Sequence, residues 1–155
     1  NRLTLPCGRL RESPRALVDA TAVVLVDKGL GPVAKVLGAL ISTYSLIPPY
    51  NPHTRAALDL NAQLSLLGIA GIGNPNAFFK GLKRLNVCVQ KKVVLSDHSP
   101  ISRSLLEQNL SGLDGVVTTA KDYWRNPEVF CGVQVWISDL SVSIDFKNQG
   151  MNKIF

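Results

Sequence analysis

Leu64-Ser65-Leu66-Leu67-Gly68-Ile69-Ala70 is a short apolar run that passes into Gly71-Ile72-Gly73 and then Asn74-Pro75, and the fold class follows from this stretch. A run of that length closed by glycine predicts a strand and a tight turn, and Asn-Pro then starts a helix with proline in its first turn. Phe78, Phe79, Leu82 and Leu85 recur at helical spacing until Asn86, after which Val87 to Val94 alternates or runs apolar as a second strand. Strand, helix and strand in that order make one βαβ unit.

Toward the C-terminus, Ser99-Pro100 repeats the helix-start pairing, and Ile101, Leu105, Leu106 and Leu110 supply a buried stripe before Gly112. Gly115 to Thr118 predicts a third strand. Val133 to Ile137 and Val142 to Phe146 alternate as strands, with Asp139-Leu140 between them, which predicts a terminal hairpin or β-connection. Toward the N-terminus, Ser13-Pro14 and Leu17 predict a short helix. It leads into Ala22 to Val26, a β-branched run that suits an interior parallel strand buried on both faces. From Gly31 to Asn61 the pattern blurs among Pro32, Pro48, Pro49 and Pro52, with a helical fit only between Val33 and Leu46. Ile47 to Pro52 should be extended, because a residue before proline is pushed away from helix. The whole reads as α/β, a mostly parallel sheet with flanking helices. It divides into a first segment over residues 1–30, a hinge over 31–62, an α/β lobe over 63–146 and a tail over 147–155.

The chain has 155 residues, 46% of them hydrophobic and 18% charged, enough to bury a sizeable core and too apolar for disorder. Seventeen Lys and Arg against eleven Asp and Glu give +6, which favours phosphates, nucleotides or anionic lipid as partners. The basic clusters lack interleaved aromatics, so nucleic acid is not the expected partner. Cys7, Cys88 and Cys131 are odd in number and far apart, supporting neither a disulfide framework nor a metal site. The apolar stretch Val36 to Ile47 is about twelve residues, short of the roughly twenty a bilayer span needs, though it can touch a membrane surface. These residues hold no intact targeting signal, and the natural N-terminus is expected to lie upstream.

In open parallel sheets ligands bind beyond the carboxyl ends of the strands. Three loops leave predicted strands there: Gly71 to Pro75, Ser96 to Pro100, and Thr118 to Asp122, expected on one edge. Gly71, Gly73 and Asn74 form either a tight turn or an anion cradle at a helix N-terminus. The dinucleotide fingerprint fails because Asn76 stands where its third glycine belongs. Lys121-Asp122 is either a structural ion pair or a phosphate edge, lysine giving a point charge that aspartate positions. Asp97-His98 offers an imidazole that titrates near neutral pH, or a cap and a packed ring. His53, flanked by proline, is expected to be simply exposed. G-x-S-x-G and G-x-x-x-x-G-K-[ST] are both absent, so neither a nucleophile elbow nor a P-loop lies in these residues.

Leu5-Pro6-Cys7-Gly8-Arg9-Leu10-Arg11-Glu12, the Ala22 to Val26 strand, Gly71-Ile72-Gly73-Asn74-Pro75 with Phe78-Phe79, Asp97-His98, and Thr118-Thr119-Ala120-Lys121-Asp122 occur in the order seen in the tetraacyldisaccharide 4'-kinase (lipid A 4'-kinase) family. The chain resembles that family's C-terminal half. The resemblance implies transfer of the ATP γ-phosphoryl group, with Mg²⁺, to the 4'-hydroxyl of a lipid A disaccharide 1-phosphate at a membrane surface. That surface is the cytoplasmic face of the inner membrane in a bacterium, or a mitochondrion in a plant. It implies that residues 1–30 end a P-loop lobe that binds most of the ATP and Mg²⁺, so the chain is expected to be inactive alone. Carried over by residue, Arg11 and Glu12 match a Leu-Arg-Glu element at the cleft. His98 matches the histidine that the second lobe brings over the nucleotide, with Asp97 orienting it or capping the helix. Lys121 and Asp122 match a motif in which glutamate usually stands where this chain has Ala120. The residues also allow a second class: a non-catalytic basic α/β module that binds a phosphorylated lipid or a protein. They identify no particular protein partner.

Overall fold

The computed structural model describes residues 12–26, 39–96 and 99–145, and the chain divides into two compact units, Asn1–Tyr44 with Val142–Phe155, and Ser45–Ser141. In the first unit a 3-10 helix spans Pro14–Asp19, its cap Ser13 accepting from the Arg15 N–H. β1 (Val24–Val26) follows and lies parallel to β2 (Leu40–Leu46), with Val24 opposite Leu40. The strand order β1-β2-β7, with β7 spanning Leu140–Asp145, puts β1 at one end of this sheet, and Val24 and Val26 are partly open to solvent. The expectation of an interior strand buried on both faces therefore fails for the described residues. The expected helix from Val33 to Leu46 also fails from residue 39 onward. Ile41, Thr43 and Tyr44 are better strand than helix formers, and Leu40 and Ser42 alternate into a buried face. Residues 33–38 lie outside the described residues.

The second unit carries the parallel sheet. Its elements are β3 (Leu66–Ala70), α1 (Pro75–Arg84), β4 (Val89–Val94), α2 (Arg103–Leu110), β5 (Gly115–Thr119), α3 (Ala120–Arg125) and β6 (Val135–Ser138). The order is β4-β3-β5-β6 and every pairing is parallel. β3, β5 and β6 are buried along their whole length, as their near-continuous apolar sequences require. Side chains alternate between two cores. Leu66, Ala70, Val117 and Trp136 meet Phe78, Phe79 and Leu82 of α1 on one face. Leu67, Ile69, Val116, Val135 and Ile137 meet Leu106 of α2 and Tyr123 of α3 on the other. The stripe read from Phe78 to Leu85 is thus a helix face seated on the sheet.

Three details depart from the sequence expectations. α2 starts at Arg103, capped by Ser102, whose Oγ accepts from the Leu105 N–H; Ile101, expected inside the helix, packs in the core just before it. Thr118 to Asp122, expected as a loop, is the end of β5 followed directly by the first turn of α3. The terminal hairpin does not form, since β6 belongs to the four-stranded sheet and β7 (Leu140–Asp145) to the other. Of Asp139 and Leu140, leucine is unsuited to the positive φ that the second position of a type I′ turn demands. The chain instead runs on through Asp139, whose carbonyl accepts from the Ile47 N–H. The proline-rich tract is extended as expected at Tyr50, but Pro52 enters a turn in which Asn51 Oδ1 accepts from the His53 and Thr54 N–H groups. Tyr50 exchanges both backbone hydrogen bonds with Ile137, pairing along β6.

Close approach fixes the start of β5. A Cβ on Gly115 would stand 2.5 Å from the Gln134 carbonyl oxygen and 2.8 Å from the Trp136 ring, and the first of these is backbone that cannot step aside. Gly115→Ala is expected to destabilise the protein by about 1–3 kcal/mol, the usual range for overpacking. A lower urea midpoint at unchanged slope checks this; an unchanged midpoint would contradict the packing.

Candidate functional site

The path of the chain through the parallel sheet selects one place on its edge. From β3 the chain crosses to β4 over the face that α1 covers, then returns past β3 to β5 over the opposite face, which α2 and α3 cover. The loops after β3 and β5 therefore leave adjacent strands toward opposite faces. Parallel sheets open a crevice at such a point, outside the carboxyl ends of the strands.

Asp122 spans it. Thr119, the last residue of β5, caps α3 by accepting from the Asp122 N–H at 3.1 Å, and donates its hydroxyl to Asp122 Oδ2 at 2.7 Å. The same Oδ2 accepts from the Gly71 N–H at 2.9 Å, directly after β3. In the common capping box a third-position acid reaches back to the cap residue's own N–H; here it reaches across to the next strand. Asp122 is 3% exposed, and its Oδ1 takes no hydrogen bond among the described residues. Arg125 stands 3.5 Å from that oxygen and donates to the Ser99 carbonyl at 3.2 Å. A Cβ at Gly71 would lie 3.3 Å from both Asp122 Oδ1 and the Ser99 oxygen, so glycine is what lets these groups close up. The Ser99 N–H donates to the Ser96 carbonyl at 2.9 Å. One buried carboxylate and one arginine thus gather the ends of all three loops that the sequence placed on one edge.

The predicted residues fare differently. Gly71 is buried under Asp122, whereas Gly73 and Asn74 are exposed at the start of α1, Asn74 accepting from the Ala77 N–H at 3.1 Å. Lys121 is exposed on the first turn of α3, while its neighbour Asp122 turns inward. Glu12 is exposed in the first unit. Arg11, Asp97 and His98 lie outside the described residues. His53 is exposed as expected but not idle: its Nε2 is 3.0 Å from the Tyr123 hydroxyl. Arg125 carries no local signal in the sequence, and Ser99 only that of a helix start within its loop; their contact joins positions 26 apart in the chain. These residues alone do not fit a triphosphate and its magnesium. Among the described residues no three His, Cys, Asp or Glu side chains converge, and Asp122 is committed to Gly71 and Thr119.

Comparison with known proteins adds to this geometry. The family pattern described as tetraacyldisaccharide-1-P 4'-kinase matches residues 1–155. The tetraacyldisaccharide 4'-kinase of Paramagnetospirillum magneticum is 31% identical over 154 residues, covering 94% of this chain and 45% of the relative. That of Francisella tularensis subsp. novicida is 30% identical, covering 94% and 46%. A crystal structure of LpxK from Aquifex aeolicus in complex with ATP superposes with a TM-score of 0.67 at 21% identity, over 94% of this chain and 45% of that one, a likeness of fold. The chain spans about half the length of these relatives.

Tyr123, next to Asp122, gives the site a titratable reporter. Burial raises its phenol above the ordinary 10.0, and the nearby Cys131 thiol, once ionised, raises it further. The unfolded chain then loses this proton first as pH rises past about 10, so stability is full below that point and falls above it. Absorbance titration should show a tyrosine step above 10.0 that Tyr123→Phe removes. A titration curve from which Tyr123→Phe removes no such raised step would contradict the burial.

Proposed function

The chain belongs to the tetraacyldisaccharide-1-P 4'-kinase family, and we propose that it supplies the second α/β lobe and hinge of a lipid A 4'-kinase. The whole protein would transfer the ATP γ-phosphoryl group to the 4'-hydroxyl of a tetraacyldisaccharide 1-phosphate, and this chain alone would be inactive. The observation that carries this reading is the crevice between β3 and β5, where Asp122 and Arg125 hold three loops together. Phosphoryl transfer asks little covalent chemistry of a protein; it depends on positioning groups and stabilising charge. An edge whose loops are pinned by buried hydrogen bonds suits that demand.

Each residue then has a role. His98, following the pinned β4 strand end, closes over the reacting phosphate and supports the carboxylate that activates the sugar hydroxyl, with Asp97 orienting it. Lys121 offers a point charge from the solvent side, and Gly71, Gly73 and Asn74 shape the turn that presents the N-terminus of α1. Asp122 acts by position, since a carboxylate facing phosphate would repel it. Arg11 neutralises phosphate from the first unit and Glu12 orients it. ATP and Mg²⁺ are held mainly by residues outside this chain, where the ion offsets phosphate charge.

The working surface is that of a membrane, the cytoplasmic face of the inner membrane in a bacterium. No helix among the described residues is long and apolar enough to cross one. Ala120, where the family motif usually has glutamate, favours a second reading, a binding module for a phosphorylated lipid that has lost catalysis.

Phosphotransfer by the full-length protein separates the two. His98→Ala is expected to lower kcat by roughly ten- to a thousandfold, with the thermal unfolding midpoint unchanged. Unaltered turnover would remove the histidine's role, and an inactive parent protein would favour the module.

A further inference from the structure

We propose that the outer face of α1, with the adjoining strand β4, is a docking surface for anionic lipid headgroups. Between Asp59 and Asp97 the chain carries Lys80, Lys83, Arg84, Lys91 and Lys92 and no acidic residue. The fold concentrates these charges. Phe78, Phe79 and Leu82 commit one side of α1 to the core, which turns Lys80 and Arg84, four apart, to the opposite side with Lys83 beside them. β4 ends the described order of the sheet and is exposed from Gln90 to Lys92. Lys92 places its ammonium 5.5 Å from the centre of the Phe79 ring, on the α1 side, so it joins the other three cations. Among the described residues, Lys80, Lys83 and Arg84 enter no ion pair. Val94, two residues beyond Lys92 on the same face of β4, is 57% exposed and adds an apolar contact beside the charges.

Unneutralised cations around a short apolar contact match a bilayer surface, where each Lys or Arg strengthens attachment to anionic lipid by about fivefold. A single-stranded nucleic acid would need aromatic rings to stack on, and this face has none free: Phe79 is buried beneath Lys92, and the exposed Tyr44 and Trp124 belong to other elements. The choice of a lipid surface rests on the proposed function, in which the acceptor is a phosphorylated sugar anchored in the bilayer by four acyl chains.

Sedimentation of the chain with vesicles tests it, using phosphatidylcholine alone and phosphatidylcholine mixed with phosphatidylglycerol. Binding is expected only to the mixed vesicles and should fall steeply as salt is raised. Lys80→Gln with Arg84→Gln should weaken it roughly twenty-fivefold, two steps of about fivefold each. Arg15→Gln with Arg55→Gln, an equal loss of charge elsewhere, should change it only slightly. Circular dichroism of both variants verifies that they fold. Absent binding, an equal loss in the two variants, or displacement by an oligonucleotide at matched phosphate would each overturn the proposal. Vesicle binding as expected, with a full-length protein that transfers no phosphate, would overturn the kinase reading and leave the docking surface standing.

Discussion

A carboxylate withdrawn from water between two parallel strands is the constraint around which the second unit is organised. Burying a charge is costly unless hydrogen bonds replace its hydration, and Asp122 recovers them from the Thr119 hydroxyl and the Gly71 N–H. Those two donors sit at the carboxyl ends of neighbouring strands whose chains then depart to opposite faces of the sheet. Without Asp122 the Gly71 N–H would be left without its acceptor in a buried position, and the two strands would keep the Thr118 hydroxyl's bond to the Ile69 carbonyl but lose the link at their ends. Gly71 completes the arrangement, since any side chain there would crowd both Asp122 and the Ser99 carbonyl. Arg125 extends the same link to the loop after β4.

Much of this unit was legible in the residues themselves. Apolar runs bounded by glycine gave β3 and β5, and the four-residue spacing of Phe78 and Leu82 placed α1 against a sheet, because local periodicity and burial agree there. Where they disagreed, the reading failed. Leu40 to Leu46 carries enough apolar residues for a helix, yet pairing with β1 makes it a strand, a choice set by a partner distant in sequence. The two alternating runs around Asp139 left a hairpin or a β-connection open, and the hairpin is the one that fails, because alternation does not say which sheet a strand joins. At the site, Lys121-Asp122 drew attention as a charged pair, but neighbours on a helix point in different directions. The partner that matters to Asp122 is Gly71, a contact across 51 positions that no local pattern encodes.

The proposed function makes a definite demand of this edge. A lobe that contributes to phosphoryl transfer has to hold its loops in register while substrate and nucleotide come and go, and hydrogen bonds sealed in the interior do that better than exposed ion pairs.

Amide hydrogen exchange at Gly71 tests the role of Asp122 most directly. If the carboxylate holds the crevice closed, the Gly71 N–H exchanges about as slowly as the ladder amides of Ile69 and Val117, and Asp122→Asn speeds it by roughly ten- to a hundredfold while those amides change far less. Exchange of the Gly71 amide at the rate of an open loop in the unaltered protein would contradict the account.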